Sequence, residues 1–485
     1  MNSYTQNALD EVKKLGAKKR VETFLAKIKE HDSQVGSFIE VYDNWALEQA
    51  TKIDEKISKS IPLGIMGGLV VAVKNNVSIK GKRLTCGSKM LENYISPYNS
   101  TAIQRIIEED GIVIGSVNLD EFCCGSDCLK SALKVTSNPL DLSRVAGGSS
   151  GGSSAAMTAG FCDLTLSEDT GGSIRCPASF CGVSGIHPTY GTVSRYGVSD
   201  MAMTFDQLGP IAADSLGNAI LLDAISGFDE YDSTTFNSKK TNYVSSLNKL
   251  PDTLKIGIAK QFFVGCDNEV EKSIRKTITD LSKNNPKIVF EEFDFPLIEN
   301  ALPIYYLLVF SEFASAMQKF DGLRFGNKWN ENDGTDLASI VSAVRSKSFG
   351  TEVKRRIILG TYITTKEHQD AWLTKALQAR KLLVDEFDKI FNQYDLLVGP
   401  TMPMVAWKKG ELSSDGLQMY LADVLTVPAN CAGLPAGTVN VGNCPTNKMP
   451  IGFQVIGNRG SDELVLQFMS AIEKISPAYP FKPVF

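Results

Sequence analysis

Histidine is scarce: the 485-residue chain contains only His31, His187 and His368. A hydrolase that depends on a histidine base therefore has few residues to draw on. Cys123, Cys124 and Cys128 form the only close cysteine group and have no histidine beside them, so no zinc site is indicated. Basic excess is missing as well: the formal net charge is -5 and no basic stripe marks a grip on nucleic acid. The longest apolar run, 61–73, contains Pro62 and glycines and is too short to cross a bilayer, so no membrane partner is expected. The chain shows no apolar leader and its cysteines are scattered, which fits a reducing, cytoplasmic setting; an organellar copy whose leader has been removed stays open. With 43% hydrophobic and 22% charged residues the composition is that of a globular protein, which excludes a fibre or a disordered chain.

What the chain does have is two glycine clusters, each carrying serine. The first is Gly147-Gly148-Ser149-Ser150-Gly151-Gly152-Ser153-Ser154, and the second is Asp169-Thr170-Gly171-Gly172-Ser173-Ile174-Arg175. Between them lies the strand-like run Asp163-Leu164-Thr165-Leu166. Glycines let backbone amides approach a reacting atom, so amides around Thr170, Gly171, Gly172 and Ser173 can converge on an oxyanion beside a serine nucleophile. Three other readings stand beside this one. A flexible linker lacks the interleaved strand pattern. A phosphate cradle lacks a Gly-Lys-Ser/Thr ending. Finally, Gly147-Gly148-Ser149-Ser150-Gly151 fits the G-x-S-x-G elbow, which needs a histidine from further along the chain.

A base other than histidine is available upstream. The apolar run Gly68-Leu69-Val70-Val71-Ala72-Val73 ends in Lys74, so a lysine stands at the end of a buried strand. A free lysine titrates near ~10.4. Burial favours the neutral amine, and a shift of about three units costs roughly 4 kcal/mol of differential solvation. A solvated strand-end lysine is the alternative on local context alone.

Lys74 in Val-Ala-Val-Lys-Asn-Asn, Ser149 in Gly-Gly-Ser-Ser-Gly-Gly-Ser and Ser173 in Asp-Thr-Gly-Gly-Ser-Ile-Arg together resemble the amidase signature enzymes. Within them, Thr85–Asn93, Asn118–Phe122, Ser194–Gly197, Asp206–Pro210, Phe320–Gly326, Val353–Arg356 and Asp423–Asn430 resemble the A subunits of tRNA-dependent amidotransferases over nearly the whole chain. The resemblance implies a glutaminase with a Ser-Ser-Lys triad: Ser173 as nucleophile, Ser149 as relay after a cis peptide, and Lys74 as neutral base. It also implies an oxyanion hole from Thr170, Gly171 and Gly172. The implied glutamine pocket has Arg356 for the carboxylate, Asp423 for the ammonium, Tyr305 to orient the substrate and Cys124 as lining, with Arg355 and Tyr306 as adjacent candidates. No metal or cofactor is implied in this chain. The implied partners are a B subunit carrying ATP, magnesium and aminoacyl-tRNA, and a small C subunit, in a heterotrimer that serves Glu-tRNA(Gln) or Asp-tRNA(Asn). The alternatives are a stand-alone amidase for small amides and a low-activity scaffold subunit.

Several positions depart from the resemblance. Asn75 stands where aspartate is frequent, Cys176 where glutamine is, Cys124 where methionine is, and Glu168 where a small polar residue is usual. Glu168 beside Asp169 sets two carboxylates near the expected oxyanion hole, which opposes negative charge there unless Glu168 points away.

The rest of the pattern predicts an α/β fold with a mixed sheet covered by helices on both faces. Helices over 1–60 pack on one continuous domain, 61–485, whose catalytic half is 61–227. Val21, Phe24, Leu25 and Ile28 give the opening helices one apolar face. Strands are expected at 111–115, 254–259, 288–293, 396–398 and 451–456, and helices at 216–225, 269–281, 302–320, 352–391 and 463–475. The polar stretches 228–251 and 327–334 read as surface connections.

Overall fold

Val70-Val71-Ala72-Val73-Lys74 is buried along its whole length, so it is a strand covered on both faces. Side chains alternate across a strand: Val71 and Val73 join one hydrophobic core while Val70 and Ala72 join a second core behind the sheet. In the computed structural model of the chain, which describes residues 3–236, 242–324, 326–412 and 416–485, this strand sits within an eleven-stranded sheet.

In chain order the strands are β1 (Phe38–Val41), β2 (Val70–Lys74), β3 (Ile112–Val117), β4 (Ser137–Asn138), β5 (Asp141–Val145), β6 (Leu164–Asp169) and β7 (Ser184–His187). They continue as β8 (Gln207–Ala212), β9 (Leu254–Ala259), β10 (Ile288–Phe293), β11 (Leu396–Pro400), β12 (Ala436–Asn443) and β13 (Pro450–Gly457). The large sheet runs β1-β3-β2-β6-β8-β7-β12-β13-β11-β9-β10, and β4 and β5 form a separate ribbon. β3, β2 and β6 are parallel neighbours, as are β11, β9 and β10, while the middle of the sheet is antiparallel. The fold is the mixed α/β sheet that the pattern predicted.

Some elements differ from expectation. The opening helices Tyr4–Leu15, Ala17–Val35 and Asp43–Ser58 are present, but Phe38–Val41 between them adds an antiparallel edge strand to β3. The expected helix over 352–391 is broken into Thr351–Thr364, a π-turn at Asp370–Thr374 and Lys375–Phe391. The break falls at Thr365, whose backbone is extended (φ -64°, ψ 152°), after β-branched Thr364. The stretch 327–334 leads into a further helix, Leu337–Ser348. The connection 228–251 includes Tyr243–Ser246 as a short helix, while 237–241 and Phe325 lie outside the described residues. The helical stretch Pro296–Lys319 is long and apolar enough to cross a membrane, but 61% of its apolar window is buried in the fold, as befits a core helix.

Candidate active site

Strand register brings the expected residues together. β2 and β6 are parallel neighbours with Val73 opposite Leu166, so their carboxyl ends set Lys74 beside Glu168. Open α/β sheets bind ligands at such carboxyl ends. Beyond Asp169 the chain turns through 170–174 into the helix Arg175–Cys181, and Ser149 lies just ahead of the helix Gly151–Ala159. The Gly148–Ser149 peptide is cis. Gly152 lets its helix press on the loop after β3: a Cβ there would lie 2.4 Å from the Asn118 carbonyl oxygen. The Lys74 Nζ donates to Ser149 Oγ at 2.9 Å, and Ser149 Oγ donates to Ser173 Oγ at 3.0 Å. Lys74 and Ser149 are fully buried, and Ser173, 9% exposed, is the outermost of the three.

The structure sets a carboxylate against Lys74, the base expected from the sequence. Its Nζ also donates to the Glu168 carbonyl at 3.1 Å and forms an ion pair with Glu168 Oε2 at 2.9 Å. Burial draws the ammonium down, and the Glu168 carboxylate in contact with it pulls the other way. Glu168 is thus the charge partner of the base; its carboxylate points to Lys74 and to the Thr170 hydroxyl. The sequence exposed the residue but not its partner, because β2 and β6 meet only in the sheet.

The turn carrying Ser173 rests on a buried charge cluster. Asp169 accepts from the Arg175 guanidinium at 3.2 Å, from Asn430 Nδ2 at 2.8 Å, from the Gly172 amide at 2.7 Å and from the Ile174 amide at 3.0 Å. Burial opposes its charge, yet the Arg175 guanidinium, with Asn430 donating beside it, holds the Asp169 carboxyl well below the usual range. The expected oxyanion donors include Gly172, and here the structure corrects the expectation: its N–H is spent on Asp169, which leaves the amides of Thr170, Gly171 and Ser173 as candidates. Gly172 has φ +128°, and a Cβ there would sit 2.2 Å from Thr426 Oγ1. Thr426 in turn donates to the Gly171 carbonyl at 2.7 Å, tying the turn to the segment that carries Asp423.

The pocket residues gather around that segment. Asp423 is buried and accepts from Tyr306 OH at 2.9 Å and from Ser126 Oγ at 2.9 Å. Burial pushes its carboxyl up to about 6 against the pull of those donors and of Arg356. Tyr305 abuts the nucleophile turn: a Cβ on Gly171 would meet its hydroxyl at 2.3 Å. Both tyrosines therefore belong to the site, in different places. Arg356 is buried within 6.0 Å of the Tyr306, Phe310 and Tyr420 rings and paired through Nε with Glu352 at 2.9 Å, while the Arg355 side chain is 46% exposed. Burial pushes the Cys124 thiol up, and the Arg356 charge nearby pulls against it. Of the other departures, Asn75 clamps the 83–85 loop through the Thr85 amide and the Arg83 carbonyl. Cys176 packs its thiol toward the Ser126 carbonyl. Ser126 and Glu352 carry no motif that marks them in the sequence, and Asn430 stood only as the end of the Asp423–Asn430 motif, with no role assigned to it.

The Amidase family model matches residues 19–466. The A subunit of glutamyl-tRNA(Gln) amidotransferase from Caldanaerobacter subterraneus subsp. tengcongensis is 42% identical over 470 residues, 97% of this chain and 94% of that protein. Its counterpart from Prochlorococcus marinus is 40% identical, over 96% of each chain. The crystal structure of the A subunit of glutamyl-tRNA(Gln) amidotransferase from Thermotoga maritima matches with a TM-score of 0.79 and 35% identity, covering 97% of this chain and 94% of that one. A family model over most of the chain, near-complete relatives at this identity and the shared mixed sheet lead to one conclusion: the chain belongs to the amidase signature family, on the branch of the glutamyl-tRNA(Gln) amidotransferase A subunits.

Proposed function

We propose that this chain is the glutaminase subunit of a tRNA-dependent amidotransferase, hydrolysing glutamine to glutamate and passing the ammonia on for amidation of Glu-tRNA(Gln). The observation that carries the reading is the hydrogen-bonded path Lys74–Ser149–Ser173 leading outward from the buried end of β2. Ser173 attacks the side-chain amide carbon while its proton passes through Ser149 toward Lys74, and amides of the 170–173 turn receive the oxyanion. The same relay protonates the departing ammonia, and water then clears the acyl-enzyme.

Glutamine presents a carboxylate and an ammonium beside its amide, and a selective pocket answers each with a fixed opposite charge. Arg356 and Asp423 supply that pair, Tyr306 and Ser126 hold Asp423, and Tyr305 shapes the side of the turn. The proposal includes B and C subunits in a heterotrimer, with ATP, magnesium and the aminoacyl-tRNA held chiefly by the B subunit, in the cytoplasm. This chain then needs no cofactor for its own step.

The test is glutamine hydrolysis by the full chain, alone and co-expressed with candidate partners. Ser173→Ala is expected to cut glutamate and ammonia release by on the order of a thousand-fold or more. Arg356→Ala and Asp423→Ala are expected to abolish glutamine turnover selectively while sparing simple amides. Turnover of simple amides but not of glutamine, indifferent to partners, overturns the reading.

A further inference from the structure

The hydrogen-bonded path runs the wrong way for attack. Lys74 donates to Ser149, which donates to Ser173, whereas activation of Ser173 needs both protons to move toward Lys74. An ammonium has three protons and no lone pair. Here all three have acceptors: Ser149 Oγ, the Glu168 carbonyl and Glu168 Oε2. Before Lys74 serves as a base, one of these protons must leave, and the carboxylate in contact with it is Glu168, 2.9 Å away and buried.

We propose that Glu168 is the proton acceptor of the base, so that Lys74 and Glu168 work as one unit holding a single transferable proton. An Nζ–H bond of Lys74 breaks as an Oε2–H bond forms on Glu168, converting the ion pair into a neutral amine and a neutral acid. The amine turns its lone pair to Ser149, takes the Ser149 proton as Ser149 takes that of Ser173, and Ser173 bonds to the amide carbon. When ammonia departs the relay proton goes with it, and Glu168 returns its proton to Lys74. A pair buried away from water makes this exchange feasible, because desolvation penalises the separated charges and brings the neutral pair close in energy.

The groups facing Glu168 suit this role. Thr170 places its one hydroxyl hydrogen between Glu168 Oε1 and Asp206 Oδ1, the latter at 2.8 Å. Burial and the Glu168 charge push the Asp206 carboxyl well above the usual carboxylate range. Burial keeps Cys123 a thiol and lowers His187 to about 4, which leaves that ring neutral. Lys74 is the cation in contact with the Glu168 carboxylate.

The inference deepens the proposed function and rests on it only for the choice of substrate. The experiment compares wild type with Glu168→Gln in two readouts between pH ~5.5 and ~9.5: glutamine kcat and KM, and the rate at which phenylmethanesulfonyl fluoride modifies Ser173. Glutamine keeps the hydrogen bond to Lys74 but cannot take its proton, so Lys74 in the variant must titrate alone. Wild type is expected to vary little from pH ~6.5 to ~9, while the variant loses ~tenfold or more at pH ~6.5, recovers toward wild type by pH ~9.5 and keeps its KM within about threefold. Glu168→Asp, which retains a carboxyl, is expected to keep the wild-type profile shape and stands in if the glutamine variant does not fold. Superimposable profiles for wild type and Glu168→Gln overturn the proposal, as does a loss of the same size at every pH, which marks a packing role. If wild type releases no ammonia from glutamine the substrate reading falls, and the Ser173 modification profile still decides the role of Glu168.

Discussion

Asp423 shows how a buried carboxylate ties substrate binding to pH. Its burial raises the carboxyl to about 6 even with Tyr306 and Ser126 donating to it. Above that value it is charged and attracts the glutamine ammonium; below it the neutral acid does not. The KM for glutamine is therefore expected to be flat at neutral pH and to climb as pH falls through about 6. Asp423→Asn is expected to raise KM on the order of 10–100-fold at every pH and to remove the climb, with a smaller effect on kcat. Initial rates across a glutamine series at several pH values check this; a wild-type KM that stays constant down to pH ~5 removes Asp423 from the ammonium site. The sequence marked Asp423 and Arg356 through a family resemblance, but it did not separate Tyr305 from Tyr306 or Arg355 from Arg356. Adjacent helix residues point about 100° apart, and only packing decides which of them faces the pocket. Glu168 was legible as an oddity and not as a partner, because its meaning depends on the strand beside it.

At the scale of elements, two helices set the width of the pocket. Ala301–Ala316 carries Tyr305 and Tyr306, and Thr351–Thr364 carries Glu352 and Arg356. They touch at Gly360, where a Cβ would lie 1.8 Å from the Phe310 carbonyl oxygen, a backbone atom that cannot swing aside. Gly360→Ala is expected to push the helices apart, destabilising the fold by about 1–3 kcal/mol. It should raise the glutamine KM more than it lowers kcat, since Ser173 and Lys74 sit on other elements. Thermal unfolding together with glutamine kinetics tests this, and an unchanged KM in a destabilised variant separates helix spacing from substrate binding. The strands were the more legible elements: apolar runs such as 70–74, buried throughout, and 254–259, buried but for Lys255, stand out by composition alone. The short edge strand Phe38–Val41 did not, because only one of its four residues is buried and its partner β3 lies far along the chain. The split of 352–391 was hidden for a related reason, since no proline or glycine marks the extended Thr365 and the turn that leads from it into Asp370–Thr374.

Across the whole molecule, Glu473 on the closing helix Asp462–Ile475 binds the catalytic half to the end of the chain. It accepts from the Ser215 amide at 2.9 and 3.1 Å, at the start of the helix Ser215–Ile225. Asp214, the cap of that helix, accepts from Thr5 and Gly217, so the first helix, a catalytic-half helix and the last helix meet at two buried carboxyls. Burial, with the Asp214 charge added, raises Glu473 from 4.5 to about 8. A raised folded-state value means that the folded chain keeps a proton which the unfolded chain gives up. The contribution of Glu473 is thus fully present below about 4.5 and is lost as pH rises through about 8. Between those limits the slope is ~1.4 kcal/mol per pH unit for a single group. Glu473→Gln keeps an oxygen for the Ser215 amide and cannot ionise. The variant is expected to match wild type near pH ~5 and to unfold at a higher temperature than wild type near pH ~9. Calorimetric or circular-dichroism melts at the two pH values read the difference directly. A wild-type midpoint that falls with pH no less in the variant would place the alkaline sensitivity elsewhere and leave Glu473 as a charged tie between the two helices.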